Sequence, residues 1–248
     1  MPARRRAYGL LALAAAALLA GLVFGRGDRR NRIPLPLRML SSALVWAAAL
    51  VLWRAAPHGP LRARAGLAAA GMACGFLGDL VMARVIPLPQ HVMFGMLAFG
   101  AGHVQYMRAA SFLIHQGHEG PEALGGSNLR VLRALRGSRP ALIASSAVAV
   151  AGWRALVYSP SQPAPLGYAA LAYALLLSSM AGLGGALAWR DRRYAPLAAG
   201  GALFFLSDLI LAGELFRGLF FPHIGDAIWL TYLTGQGLIV TTLGTAST

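Results

Sequence analysis

The chain has 248 residues, of which 57% are hydrophobic and only 12% charged, and its mean hydropathy is +0.60. A soluble domain would carry about 25% charged residues, so the composition excludes an ordinary soluble protein and indicates a polytopic membrane protein. The formal net charge is +14 and all 22 basic residues are arginine, but these arginines lie between apolar runs, which favours contact with lipid phosphate groups over nucleic acid binding.

Apolar segments run from one end of the chain to the other. A helix needs about 17 to 25 mostly apolar residues to cross a hydrocarbon core of about 30 Å. No polar stretch is long enough to build a second core, so we predict one all-α integral membrane domain over residues 1–248. The eight predicted transmembrane helices are Tyr8–Phe24, Leu37–Trp53, Ala65–Ile86, His91–Leu113, Ala141–Tyr158, Pro165–Trp189, Tyr194–Phe216 and Ala227–Leu243.

The first segment follows Arg4, Arg5 and Arg6, as the hydrophobic region of a signal peptide would. The apolar run is long and ends at an arginine cluster, which favours a retained membrane anchor over a cleaved leader. The N terminus and the loops on its side of the membrane carry 14 of the 22 arginines. Both termini are therefore predicted to be cytoplasmic, and we expect the protein in the inner membrane of a bacterial cell.

The third and seventh segments repeat one another. The octapeptide FLGDLVMA at 76–83 matches FLSDLILA at 205–212 at five of eight positions. In the segments that follow, His103 and Gln236 each come after a glycine, 24 and 28 residues beyond the aspartate of the octapeptide. We predict two four-helix halves, about 8–113 and 141–243, joined by a cytoplasmic linker at about 114–140. An even number of spans per half makes such repeats parallel in topology rather than inverted.

The repeat carries two acidic residues, Asp79 and Asp208, inside apolar segments. A charged Asp at the centre of a transmembrane helix costs about 2.5 to 3.5 kcal/mol, and such residues usually face a cavity and mark a functional site. Alternatively, an Asp can tie helices together through a hydrogen bond, with Ser207 or Tyr106 as the partner. The matching positions of the two aspartates favour the functional interpretation.

Other polar residues lie near the ends of the segments. Glu214 precedes Arg217 by three residues, and this spacing predicts a local ion pair on one helix face. His91, His223 and Asp226 lie near the outer ends of the segments, where contact with a polar headgroup is an alternative, but we expect them to be exposed loop residues.

His103 lies in the middle of the fourth segment, with Tyr106 about one turn later. Gln236, its counterpart in the eighth segment, also has an aromatic hydroxyl one turn away, at Tyr232. A single histidine in a helix is commonly a packing residue, but this correspondence makes a role in a site equally plausible.

The sequence contains no strong signature of a cofactor or a metal. A metal site built from Asp79, Asp208 and His103 stays an alternative, although these residues have no diagnostic spacing. The single cysteine, Cys74, lies in an apolar run and is expected to be a packing residue. We therefore predict neither a metal nor a cofactor.

Four segments carry the short motifs Gly78-Asp79, Phe99 to His103 with Tyr106, Ser207-Asp208-Leu209 and Gly235-Gln236. These motifs, together with the number and order of the predicted spans along most of the chain, resemble the YhhN-like transmembrane family. Members of this family include lysoplasmalogenases. The resemblance implies a lysophospholipid substrate drawn from membrane lipids. It further implies hydrolysis of the vinyl-ether bond of a lysoplasmalogen to a fatty aldehyde and glycerophosphoethanolamine or glycerophosphocholine.

That reaction begins with protonation of the β-carbon of the vinyl ether, and water then captures the oxocarbenium ion. Two carboxyl groups in a low-dielectric cavity can divide these roles, as they do in glycosidases. We expect Asp79, Asp208 and His103 to be catalytic, without assigning which Asp is the acid. The residues expected to bind substrate or orient water are Tyr106, Ser207, Tyr232 and Gln236.

Two other functions are compatible with the same residues. A proton- or ion-coupled transporter would also use paired acids near the membrane midplane and repeat symmetry. An intramembrane lipid hydrolase of another specificity, including a metal-assisted one, would use a similar cavity. The sequence predicts no nucleic acid partner and leaves the oligomeric state open.

Overall fold

A computed structural model describes residues 2–115, 138–159 and 164–246, and these residues form an all-helical bundle. The predicted all-α class is confirmed for this part of the chain, whereas most of the predicted linker lies outside it. Each predicted segment corresponds to one helix, in order. The α-helices of the described ranges are α1 (Pro2–Phe24), α2 (Leu35–Ala55), α3 (Pro60–Met82), α4 (His91–His115), α5 (Arg139–Leu156), α6 (Ala164–Arg190), α7 (Ala195–Arg217) and α8 (Ile224–Gly244).

Five helices of the described residues are long and apolar enough to cross a membrane, namely α1, α2, α3, α6 and α7. Together they indicate a multi-pass membrane protein. The other three helices have 25, 18 and 21 residues and do not belong to this group. Eight spans and cytoplasmic termini therefore stay predictions.

Proline and glycine define several helix ends. Pro36, Pro60, Pro140 and Pro196 each lie in the first turn of a helix. The fixed φ of proline suits this turn, where its missing N–H would have no helical partner in any case. At the other end of α7, Gly218 has a left-handed backbone with φ of 64° and terminates the helix.

The helix contacts of α1–α4 and of α5–α8 are similar but not identical. Within each half every helix packs against the next, from α1 to α4 and from α5 to α8. Between the halves, α2 packs against α8 and α4 packs against α6, and α3 also contacts α8. Exchanging α1–α4 with α5–α8 interchanges the first two of these contacts, but the α3–α8 contact has no comparable counterpart between α4 and α7. The division into two parallel repeats therefore stays a prediction.

Two glycine contacts set the helix crossings in both halves. A Cβ on Gly102 of α4 would lie 2.8 Å from the carbonyl oxygen of Gly71 on α3. A Cβ on Gly235 of α8 would lie 2.7 Å from the carbonyl oxygen of Gly200 on α7. Gly71 and Gly200 each precede the aspartate of the repeat by eight residues. Small residues therefore allow close helix approach at matching positions.

The α1–α2 loop, residues 25–34, is attached to the start of α8. The carboxylate of Asp226 accepts hydrogen bonds from the backbone N–H groups of Arg32, at 2.7 Å, and Ile33, at 3.0 Å. The backbone N–H of Gly225 donates to the carbonyl of Arg30 at 2.9 Å. Asp226 is only 2% exposed, so its prediction as an exposed loop residue was wrong, because it caps backbone groups of a distant segment.

A second link joins this loop to α7. Both carboxylate oxygens of Glu214 accept hydrogen bonds from the guanidinium of Arg30, and these bonds raise the pKa of Arg30 above its usual value. The predicted Glu214–Arg217 pair was therefore wrong. Arg217 instead donates to the carbonyls of Ala155, at 3.0 Å, and Tyr158, at 2.8 Å, at the end of α5.

Candidate functional site

Asp79 and Asp208 line one cavity of about 110 Å³. Asp79 lies near the end of α3 and is 4% exposed, whereas Asp208 lies in the second half of α7 and is partly buried. The α1–α2 loop contributes Arg30 to the same cavity, and the first turn of α2 contributes Arg38. A cavity of this size has room for several water molecules or for a polar group of a ligand.

Asp79 is the end point of a chain of hydrogen bonds that involves four helices. The hydroxyls of Ser42 on α2 and Tyr232 on α8 both donate to its Oδ2, the latter at 3.0 Å. Gln236 Nε2 donates to the Tyr232 hydroxyl at 3.2 Å, and the Tyr106 hydroxyl on α4 donates to Gln236 Oε1 at 2.6 Å. The structure thus brings three of the predicted substrate-binding residues together behind Asp79.

Asp208 has a different environment. The hydroxyl of Tyr173 on α6 donates to its Oδ2 at 2.5 Å. The Ser207 hydroxyl lies 3.3 Å from Asp208 Oδ1 but donates at shorter distance, 2.6 Å, to the carbonyl of Phe204. Asp208 therefore has one strong hydroxyl donor, and Ser207 mainly bonds its own helix.

A second cavity, of about 70 Å³, also has Asp208 in its lining. Asp208, Met82, Phe99 and Leu211 line both cavities. The second cavity is otherwise almost entirely apolar, so Asp208 lies at the boundary between a polar and an apolar space. Its wall is formed mainly by α5, α6 and α7, including Trp153, Ala170, Leu177, Phe205, Ala212 and Phe216.

His103 does not join either aspartate. Its side chain is 2% exposed, and neither ring nitrogen has a hydrogen-bond partner among the described residues. The ring packs edge-on against Phe204, with 4.3 Å between centroids, and lies 5.9 Å from the ring of Tyr106. His103 also lies outside the linings of both cavities, and its catalytic role stays a prediction.

Sequence reasoning missed both hydroxyl donors that precede the aspartates in the chain. Ser42 lies on the helix before Asp79, and Tyr173 lies on the helix before Asp208. The only signal for either residue is a polar group inside an apolar segment. That signal gives no partner, because the partner depends on how each helix is rotated in the bundle.

Arg38 was also missed as a candidate site residue. It lies in the first turn of α2, and its Nη1 donates to Asn31 Oδ1 at 3.0 Å. Its guanidinium carbon lies 5.8 Å from the centre of the Trp229 ring, within the range of a cation–π contact. Its Nε is buried and has no hydrogen-bond partner in the described part of the chain.

The polar groups that line this cavity are carboxylates, hydroxyls, a side-chain amide and guanidinium groups. Such groups can transfer a proton, orient water and bind an oxygen-rich or anionic ligand. No cluster of three or more His, Cys, Asp or Glu side chains with the arrangement of a metal site occurs within residues 2–115, 138–159 and 164–246.

The chain matches the sequence model of the YhhN family over residues 37–243. The match covers most of the chain and includes both aspartates together with Ser42, Tyr173 and Tyr232. The chain therefore belongs to the YhhN family, which confirms the resemblance of its short motifs. No curated protein and no solved structure matches the chain significantly.

Proposed function

We propose that this member of the YhhN family hydrolyses the vinyl-ether bond of a lysoplasmalogen. The products are a fatty aldehyde and glycerophosphoethanolamine or glycerophosphocholine. The observation that carries the proposal is that Asp79 and Asp208 line one cavity inside a helical bundle. Membership of a family that includes lysoplasmalogenases supports the reaction class.

The chemistry of the bond explains why two carboxyl groups are needed. A vinyl ether is unreactive toward water until a proton is added to its β-carbon, which creates an oxocarbenium ion. One carboxyl group supplies that proton, and the other accepts a proton from the water that attacks the cation. Glycosidases meet a similar cation with a pair of carboxyl groups.

The surroundings of the pair suit a lipid with one chain. The polar cavity adjoins an apolar cavity, and the two share Asp208 in their lining. A lysolipid chain can enter an apolar space between helices while its headgroup stays close to Arg30 and Arg38, the two arginines that line the polar cavity. The low-dielectric surroundings also strengthen the interaction of the carboxyl groups with a developing positive charge.

The remaining predicted residues have supporting roles in this proposal. Tyr106, Tyr232 and Gln236 hold Asp79 through the hydrogen-bond chain. His103 enters the proposal as a positioning residue rather than a catalytic one, because it contacts Phe204 and not the cavity.

The experiment is to measure aldehyde release from a lysoplasmalogen by the detergent-purified full chain. An ester lysolipid of the same headgroup and the variants Asp79→Asn and Asp208→Asn are measured in parallel. We expect release from the vinyl ether alone, reduced at least about 100-fold in each variant, since general acid–base groups contribute about 10²- to 10⁴-fold. Wild-type turnover in both folded variants would show that the pair is not catalytic.

A second candidate is a proton- or ion-coupled transporter. The specific observation in its favour is that the α2–α8 and α4–α6 contacts correspond under exchange of the two predicted halves, with one aspartate in each half. Transport in proteoliposomes would move a substrate without changing it chemically. Hydrolysis of the ester lysolipid, with loss of activity on addition of a chelator, would instead indicate a metal-assisted hydrolase of another specificity.

A further inference from the structure

Among the described residues, one arginine of the polar cavity has no ion-pair partner. Arg30 is paired with Glu214, whereas Arg38 forms no ion pair with any carboxylate of the described residues. Its hydrogen bond to Asn31 uses Nη1 only, and its buried Nε has no partner in the same part of the chain. The protein acceptors therefore leave the charge of Arg38 only partly satisfied, and an anionic ligand in the cavity would add a strong, charge-assisted hydrogen bond to its guanidinium.

Guanidinium groups bind phosphate well, because their planar array of donors matches the phosphate oxygens. Arg38 also packs against the Trp229 ring, which restricts the directions in which its guanidinium can point. The cavity therefore has a cationic wall at Arg38, while the two aspartates form another part of its lining.

The second cavity adds an apolar space to the polar one. Arg38, Asp79 and Asp208 line the polar cavity, and Asp208 also borders the apolar cavity. A lysoplasmalogen has the same order of groups, with a phosphate, a glycerol, the ether oxygen, the C1=C2 double bond and an alkyl chain. Only one orientation of the bound lipid places its phosphate beside a cation and its alkyl chain in an apolar cavity.

We infer that the substrate binds with its phosphate at Arg38 and its chain in the apolar cavity, so that Asp208 is the proton donor and Asp79 activates water. This inference rests on the proposed function. C2, the carbon that is protonated, begins the alkyl chain and lies on the Asp208 side. C1, which water attacks, is bonded to the ether oxygen and lies toward the polar cavity.

The hydrogen bonds agree with this division of roles. Ser42 and Tyr232 direct two hydroxyl donors at one oxygen of Asp79, which stabilises a carboxylate ready to accept a proton. Asp208 has a single strong donor, Tyr173, and borders the space where the chain carbons would lie.

The reaction then balances without another reactant. Asp208 transfers its carboxylic proton to C2, and the double-bond electron pair forms the new C–H bond and leaves an oxocarbenium ion. Water bonds to C1 and gives its proton to Asp79, which forms a hemiacetal. Asp79 returns that proton to the glycerol oxygen as the C1–O bond breaks. The hemiacetal hydroxyl proton passes to Asp208, so the aldehyde leaves and both carboxyl groups regain their starting states.

The phosphate position is tested with two substrates and two variants. The substrates are 1-alkenyl-lysophosphatidylethanolamine and 1-alkenyl-glycerol, which has the same vinyl ether but no phosphate. The variants are Arg38→Gln and a matched control, Arg32→Gln, an exposed arginine of the α1–α2 loop outside the cavity lining. Size-exclusion chromatography and thermal melting show that each variant is folded.

We expect Arg38→Gln to raise KM for the phospholipid at least about tenfold, which is the effect of losing one charge-assisted hydrogen bond. KM for 1-alkenyl-glycerol should not change, and Arg32→Gln should behave as wild type with both substrates. An equal rise in KM for both substrates, or no rise for either, would overturn the phosphate position.

The division of roles is tested by chemical rescue with azide, which can add to the oxocarbenium ion without losing a proton. Azide should restore consumption of the vinyl ether in Asp79→Ala, which still has its proton donor. It should not restore consumption in Asp208→Ala, which cannot form the cation. Rescue of Asp208→Ala, or of neither variant, would overturn the assignment.

A binding measurement separates this inference from the proposed function. 1-Alkyl-lysophosphocholine has a saturated ether that cannot undergo the reaction, and its binding is measured by calorimetry in detergent. We expect the Kd to rise about tenfold or more in Arg38→Gln and to stay unchanged in Arg32→Gln. Equal binding to wild type and Arg38→Gln overturns the phosphate position, whereas absence of aldehyde release by wild type overturns the proposed hydrolysis.

Discussion

Tyr232 on α8 donates a hydrogen bond of 3.0 Å to the carboxyl group of Asp79 on α3. The residue of α4 that corresponds to Tyr232 is Phe99, four residues before His103, as Tyr232 is four residues before Gln236. Phe99 has no hydroxyl and packs edge-on against Tyr232, with 5.9 Å between ring centroids. Two aspartates that are equivalent in the sequence repeat are therefore unequal in the structure, which is what a division into acid and base requires.

Replacing Tyr232 by Phe removes the hydroxyl that bonds Asp79 and accepts from Gln236. We expect turnover of lysoplasmalogen to fall about tenfold or more, since a hydrogen bond to a charged group contributes about 1.5 to 3 kcal/mol. The matched control is Tyr168→Phe, because Tyr168 is 68% exposed. Turnover of folded Tyr232→Phe equal to that of wild type would contradict the role of the hydroxyl.

Filling the apolar cavity should impair the binding of a long chain. Ala212 lies in its lining, one turn beyond Asp208 on α7, and Ala212→Phe would place a ring in the space assigned to the chain. We expect kcat/KM for a long-chain lysoplasmalogen to fall at least about 10-fold, since one methylene more or less in a hydrophobic pocket already changes it about 10- to 200-fold. Ala202→Phe, on an exposed face of the same helix, is the control, and equal kinetics of the two variants would count against the cavity as the chain site.

The helix crossings at Gly102 and Gly235 should tolerate no side chain. A Cβ at either position meets a backbone carbonyl of the neighbouring helix within 3 Å, so each Gly→Ala change forces the helices apart. We expect a loss of about 1 to 3 kcal/mol in the free energy of unfolding for each. Gly185→Ala on α6 is the control, because a Cβ there meets nothing within 4 Å. The free energy of unfolding of Gly185→Ala should rise by up to about 1 kcal/mol. A rise in Gly102→Ala as well would contradict the crossing geometry.

The ion pair between Arg30 and Glu214 should hold the α1–α2 loop on α7. A double-mutant cycle of Arg30→Gln and Glu214→Gln is expected to give a coupling of about 0.5 to 1 kcal/mol in unfolding free energy, because the arginine is 43% exposed. The coupling should weaken in high salt. A second cycle with Arg217→Gln in place of Arg30→Gln should give a coupling near zero, and the reverse result would restore the local pair predicted from the sequence.

Much of this protein follows from properties of each segment taken alone. Hydropathy and helix length depend only on local composition, so the helical class and the order of the helices could be predicted. The matching octapeptides indicated Asp79 and Asp208 as candidate site residues, and the short motifs indicated the family. Both could be predicted because they are patterns along the chain.

Tertiary structure alone decided which side chains meet. Ser42 and Tyr173 become donors to the two aspartates. Arg64, which directly precedes the third predicted segment, is buried and donates to the carbonyls of Leu243, at 2.9 Å, and Thr245. Each of these contacts joins helices that are distant in the chain or depends on how a helix is rotated about its axis. An apolar helix in a membrane has hydrophobic residues on every face, so its sequence does not specify this rotation. Close packing at glycines and the few buried hydrogen bonds specify it instead.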